Sequence, residues 1–383
     1  MTLKAGAPAL MALLLVLGGC QPSVDPDAES TPPFVFRTLH LRQRDPQGAM
    51  AWELRSPEAR YDLSRKLAHV SRLDGLVYEK GQPLYKLSAS RGVVLNDGDV
   101  VLLEGPIRLE RLGKQPLVIT AERLRWYPHR EWMTIDRHFV ARQKQLQVTA
   151  LRAGFDLKRH RLQLDGTPQL SSRGPEPFAV AIRRVVWWAE SGDLLGDGAV
   201  RGHRRSRNGA MQTLLSPGLS GNSLRQELLL ASPLTVTDAQ QQARLQAGAT
   251  TIRLQEDSLL SRAPFTGMRG RQSLQGEGFE LQNRTKTLRV LRHCRLQQPG
   301  DQLSAQTCSW NWESGAVRAS GQVTLQRRAQ GLITRAEQLH GRVGQDGLVV
   351  LDTPSGVVST TVTIKRRPGQ SPRRPAAKPA IQL

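Results

Sequence analysis

From Thr149 to Leu170 the chain alternates in a way that predicts one β-hairpin: apolar Ala150 and Phe155, a charged turn from Asp156 to His160, then Leu162, Leu164, Gly166, Pro168 and Leu170. The same pattern recurs along the chain. Units begin near Ala59, Ala89, Ala121, Ala150, Ala181, Ser216, Ala247, Gly276, Ala305 and Ala336, a spacing of about thirty residues that marks a repeat array. A second recurrent position follows in each unit, occupied by Gly75, Gly105, Arg137, Gly166 and Gly321 among others.

Side-chain parity reveals the faces. In the second strand of the units, Val101, Leu103, Gly105, Ile107 and Leu109 share one parity, as do Leu162, Leu164, Gly166 and Leu170, and Val317, Ala319, Gly321, Val323 and Leu325. Successive strand residues point to opposite faces, so each strand has an apolar face and a polar one bearing Glu104, Arg108, Gln163, Arg318, Gln322 and Gln326. In the first strand the parity switches: Ile119 and Ala121 give way to Leu124 and Trp126, Val148 and Ala150 to Ala153 and Phe155, and Leu303 and Ala305 to Cys308, Trp310 and Trp312. A switch at the same place in several units predicts a bulge or corner that carries the strand from one sheet towards another. The expectation is all-β, with two stacked antiparallel sheets built from repeated hairpins. Asn96-Asp97-Gly98-Asp99, Pro128 to Glu131 and Asn283 to Lys286 read as hairpin turns; Gly174-Pro175 and Pro299-Gly300-Asp301 read as links between units.

The ends of the chain differ from this interior. Lys4 precedes an apolar run from Ala9 to Leu17, and Leu17-Gly18-Gly19-Cys20 closes it with small residues before a cysteine. Residues 1–20 are therefore expected to be a signal peptide with a lipobox, Cys20 being acylated after cleavage, or else an uncleaved anchor. Either route exports the chain and tethers it to a membrane. Residues 21–33 read as a flexible linker and 365–383 as a basic, Pro-rich tail, both too poor in apolar residues to fold alone. Between them we expect an N-terminal domain over 34–200 and C-terminal repeats over 201–364, the weak patterning from Arg201 to Leu228 marking the boundary.

At Ser56-Pro-Glu-Ala-Arg-Tyr-Asp-Leu, Leu73-Asp-Gly-Leu-Val-Tyr, Thr120-Ala-Glu-Arg-Leu-Arg-Trp-Tyr and Leu162-Gln-Leu-Asp-Gly the chain resembles the lipopolysaccharide-export bridge proteins, the LptC/LptA/OstA-like family, and within it a long, membrane-tethered LptC. The resemblance is strongest from Ala51 to Leu170. It implies an elongated antiparallel β-jellyroll, one long or two in tandem, enclosing a groove for lipopolysaccharide acyl chains. It also implies partners: an inner-membrane ABC transporter complex and other jellyroll bridge proteins joined through edge strands. The implied place is the periplasm, anchored at the inner membrane. Residues expected to line the groove are Val101, Leu103, Ile107, Leu109, Ile119, Trp126, Phe155, Leu162, Leu164, Val323 and Leu325; each is equally at home in an ordinary sandwich core. The chain departs from the short family members in its length and in its lipobox cysteine.

Composition narrows the remaining choices. Of three cysteines, Cys294 and Cys308 fall on the arms of the hairpin turning at Pro299 to Asp301, so an exported chain can join them as a cross-strand disulfide or hold them as two buried thiols. The net charge of +21 suggests an anionic partner, yet basic and aromatic residues do not interleave, which argues against nucleic acid. The eight histidines are scattered, with no metal-ligand spacing, no Gly-x-Ser-x-Gly elbow and no complete calcium loop. No cofactor or metal is expected, and the leading reading is a lipid conduit and not an enzyme. The rivals are a basic envelope scaffold that binds anionic glycan and a polysaccharide-acting β-solenoid enzyme.

Overall fold

The structure, a computed structural model, describes residues 34–173, 177–205, 211–344, 347–352 and 358–362. The signal segment with Cys20, the 21–33 linker, the Gly174-Pro175 link and the 365–383 tail lie outside the described residues.

Alternation becomes strands almost throughout. Thirty-one strands are joined by hydrogen bonds into one antiparallel sheet, and the described residues contain no α-helix, only single 3-10 turns at Asn96–Gly98, Pro128–Arg130 and Arg328–Gln330. The sheet is folded along its length into two facing layers. Strand Leu146–Asp156 shows how: Leu146 to Thr149 pair with Gln169–Ser172 in one layer, here layer A, while Arg152 to Asp156 pair with Arg161–Asp165 in the other, layer B. Layer A continues through Phe178–Ala181 and Val200–Arg205, and layer B through Arg184–Trp188 and Asp193–Asp197. Each hairpin advances both ladders. At about 10 Å for two strands, about ten hairpins make a body roughly 100 Å long.

The predicted corners are present. The structure also bends the second strands, whose parity is uniform. Strands passing from layer A to layer B step three positions between inward residues, Ala121 to Leu124, Ala150 to Ala153 and Gly276 to Phe279, so their parity flips. Strands passing back step four, Leu103 to Ile107, Ile135 to Phe139, Val290 to Cys294 and Ala319 to Val323, so theirs survives. The returning corners hold left-handed residues, namely Gly105, Arg137 and His138, His293, and Gly321 with Gln322. At Gly105, φ is +88°, a conformation that favours glycine, and a Cβ there would require the Ser90 hydroxyl to turn away.

The expected boundary near residue 200 is crossed by hydrogen bonds. Phe178–Ala181 pairs with Val200–Arg205, and Asp193–Asp197 with Leu219–Asn222, so the ladder runs unbroken through the poorly patterned stretch. One core cluster runs along the space between the layers. Aromatic pairs tie it across: Trp52 to Trp126 at 5.5 Å, Tyr85 to Phe155 at 5.4 Å and Phe265 to Phe279 at 5.0 Å, all edge to face.

Candidate functional site

The groove residues expected from the sequence all face the interlayer space. Val101, Leu103, Ile107, Leu109, Ile119, Trp126, Phe155, Leu162, Leu164, Val323 and Leu325 are each no more than 3% exposed. They are packed side against side.

Open space lies elsewhere. A cleft of about 230 Å³ separates the layers between Phe178 and Trp312, lined from layer A by Val180, Leu214, Val236, Leu245, Leu274 and Leu296, and from layer B by Ile252, Leu259, Leu281, Leu288, Trp310 and Trp312. None of the eleven expected residues lines it. Side-chain size contributes to the difference. In the earlier hairpins the inward positions carry Trp52, Tyr85, Leu117 and Leu146 against Trp126, Met133 and Phe155, all buried. In the cleft the corresponding wall carries Gly202, Ala243 and Gly267, with polar Gln212 and Gln272 towards the mouth. Small and polar side chains leave unfilled what large apolar ones close. The inward parity of Trp310 and Trp312 was legible in the sequence; the short side chains in the lining, Gly202, Ala243 and Gly267, were a signal that a search for apolar residues passes over.

Polar contacts close the open side of the earlier hairpins. His160 is buried and joins Tyr85, whose hydroxyl lies 3.1 Å from Nδ1, to Glu79, whose carboxylate lies 3.0 Å from Nε2. Burial pushes the Tyr85 hydroxyl well above the ordinary phenol range. Farther on, the Trp187 indole donates to Ser223 Oγ at 3.1 Å, Ser223 donates to Gln143 at 2.5 Å, and the Gln145 backbone N–H donates to Gln226 at 2.9 Å. Apart from the Trp187–Ser223 bond, these contacts link hairpin tips of layer A to tips of layer B more than seventy residues away, and they seal the seam. In the cleft the link is an ion pair, Arg204 to Asp257, and Arg269 stacks over Trp310 at 5.6 Å from the ring centroid.

A charged cluster caps the N-terminal end. Glu53 Oε2 lies 3.0 Å from His40 Nε2 and accepts from Arg55 Nη2 at 3.1 Å, while Tyr78 donates to Oε1 at 2.8 Å. The His40 contact, followed by those from Tyr78 and Arg55, outweighs burial and holds the carboxyl down at about 2 from an ordinary 4.5. Its stabilisation is therefore full above pH 4.5 and fades as the pH falls towards 2. Glu53→Gln is expected to loosen the first strands by about 2 kcal/mol at pH 7, the worth of charge-assisted hydrogen bonds, and to converge on the wild type near pH 2. Hydrogen exchange of Met50–Ser56 against pH measures this; a gap that stays constant with pH would contradict it.

Cys294 and Cys308 are joined, with Cα atoms 5.9 Å apart. The geometry differs from the cross-strand pairing expected. Cys294 faces Ala305 across the hairpin, and Cys308 faces Val290, because the chain turns from layer A into layer B at Gln306. The disulfide thus staples a corner between layers. Among the described residues no cluster of His, Cys, Asp and Glu could hold a metal ion, and no helix is long and apolar enough to cross a membrane.

Comparison with known proteins gives one family match, to part of the chain. No curated protein sequence matches it. Among solved structures, the chain is similar to LptH of Pseudomonas aeruginosa, the LptA-homologous periplasmic component of the conserved lipopolysaccharide transport device, at 13% identity and a TM-score of 0.26, over 30% of this chain and 82% of that one. The family model for lipopolysaccharide-assembly, LptC-related proteins matches residues 8–167. The matched residues hold the repeated segments from Ser56 to Gly166, so the likeness to LptC-related proteins lies in that part of the chain.

Proposed function

We propose that this protein is a periplasmic, membrane-tethered component of lipopolysaccharide export, which receives lipopolysaccharide from an inner-membrane ABC transporter and passes it along the space between its layers. The observation that carries the reading is the continuity of the apolar interior, one core reaching from Trp52 to Leu339, in a chain whose residues 8–167 match the model of LptC-related proteins. Such an interior shelters acyl chains at roughly 25 cal/mol per Å² of apolar surface, with no catalytic group needed. The N-terminal edge supports docking to a jellyroll partner: among the described residues Phe34–Phe36 pairs with Glu58–Asp62 alone, and Phe34, Val35 and Phe36 are all exposed. Cys20 would supply the tether.

Passage through the earlier hairpins requires the layers to part, since the residues there are packed. Photo-crosslinking in cells tests this, with the probe at Ile107, Leu164 and Val323, and at Arg108, Gln163 and Gln322 as controls on the polar face. Lipopolysaccharide adducts are expected at the first set alone. Adducts at neither set in folded protein would overturn the conduit and leave the scaffold or enzyme readings.

A further inference from the structure

We propose that the crease joining the two layers is the hinge on which they part, and that a row of alternating charges laid along it keeps the border of layer B in register as they do. This inference rests on the lipid-export reading only for what drives the layers apart; the charges themselves are tested without lipid.

Along the crease side of layer B, Arg91 faces Glu104, Glu104 faces Arg123, Arg123 faces Asp136 and Asp136 faces Arg152. The row continues, with Arg152 facing Asp165, Asp165 facing Arg184 and Arg184 facing Asp197. Eight successive strands of the layer thus present charges of alternating sign. Each of these side chains is exposed or half-buried on the outer face, next to an inward residue that is buried, such as Leu103, Leu124, Ile135 or Leu164. Two rungs are closed by short bonds. Arg123 donates to both carboxylate oxygens of Asp136 at 2.6 Å, and Arg184 donates to Asp165 at 2.6 Å. Arg152 stands between these two gripped carboxylates. Arg183 donates to Asp197 at 2.6 Å and closes the end of the row.

The place of the row gives it meaning. Strand pairing breaks beside it, between Ala89 and Arg91, Glu104 and Ile107, Thr120 and Arg123, and Ala150 and Arg152. Every acid of the row is followed at once by a left-handed residue, Gly105, Arg137, Gly166 or Gly198. A line where backbone bonds are interrupted is a soft line in a sheet. On the far side the layers meet through contacts of side chains, such as His160 with Glu79 and Ser223 with Gln143. The seam therefore opens first, and the crease, where the chain itself passes between the layers, turns. Its rungs survive the turn because they run along the axis, from strand to strand within one layer.

Exposed ion pairs add little stability one at a time. An alternating row adds register. A strand that slips by two residues keeps its apolar face inward but loses its rung, and like charges set directly opposite one another repel. The charges thus guard register where backbone pairing guards it least.

Hydrogen exchange on the full chain tests the row. Swapping one rung, Arg123→Asp with Asp136→Arg, would restore an isolated ion pair, but in a row it sets like charges against Glu104 and Arg152. Amides flanking both positions should exchange about tenfold faster than in the wild type, and faster than in the neutral variant Arg123→Gln with Asp136→Asn. Inverting the sign at every position of the row, and at Arg183 with them, should recover most of the protection. A swapped chain that exchanges no faster than the neutral variant overturns the row, as does an inverted chain no slower than the swapped one. If the inverted chain fails to fold, the swap against the neutral variant decides.

Spin labels test the hinge, one pair across the seam at Lys80→Cys and Lys158→Cys, another across the crease at Arg108→Cys and Arg125→Cys. Lipopolysaccharide should lengthen the seam distance by about half of the roughly 10 Å between packed sheets and leave the crease distance unchanged. In lipid-free protein the seam distribution should be the broader. Equal lengthening of both pairs overturns the hinge. Lipopolysaccharide adducts at Ile107 without lengthening at the seam overturn the hinge and keep export. If no adducts form, export falls and the lipid-free distributions decide, a seam no broader than the crease overturning the hinge.

Discussion

Trp126→Ala is expected to destabilise the N-terminal hairpins by about 3–5 kcal/mol, the range for deleting a fully buried aromatic side chain, whereas Trp126→Phe should stay within about 1 kcal/mol of the wild type. Trp126 is 1% exposed and sits in layer B with its ring edge to face against Trp52 in layer A. Alanine there removes one half of a tie between the layers and leaves a cavity that neither sheet can fill, since hydrogen bonds hold both backbones in register. Phenylalanine keeps most of the ring contact. It also removes Nε1, which is buried with no hydrogen-bond partner among the described residues, and so relieves a desolvated donor while losing some volume. Because each hairpin contacts chiefly its neighbours, the damage should stay local. Hydrogen exchange should therefore rise in Met50–Ser56 and Trp132–Gln143 and remain unchanged beyond Ser258. Uniform loss of protection, or a phenylalanine variant as damaged as alanine, would contradict this account.

The second large effect concerns the corner staple. Cys308→Ser is expected to lower local stability around Thr287–Arg327 by about 3 kcal/mol, the chain-entropy value for a loop of this size, given the separation of 14 residues between the joined cysteines. The consequence reaches the cleft. Leu296 lies two residues from Cys294 and Trp310 two residues from Cys308, and both line the cleft wall. Limited proteolysis should cut this region first in the variant, and wild-type protein treated with reductant should behave in the same way. If the variant resists protease as the oxidised wild type does, the staple carries no stability and the layers are held by packing alone.

Particular residues show which features were legible in the chain and which were not. Leu103, Leu164 and Val323 announced an inward face through spacing alone, since the two-residue period of a strand converts position directly into direction. Ala121 to Leu124 announced a corner through a broken period. The matching bends at Gly105, His138 and His293 were silent, because a four-position step preserves parity, and only backbone angles reveal them. The sequence left open whether Cys294 and Cys308 pair or stay as thiols, and counting back from Pro299 sets them opposite one another only because it ignores the corner at Gln306.

The two-layer hairpin ladder and its apolar interior were thus determined by the sequence, through local rules of alternation and turn chemistry that each unit obeys on its own. Where that interior is solid and where it opens was decided by the tertiary structure. Whether an inward leucine meets a tryptophan or a glycine depends on which strand the fold sets opposite, often many tens of residues away, as with Arg204 and Asp257. Filling of space is a property of facing pairs, and a strand read by itself shows only one member of each.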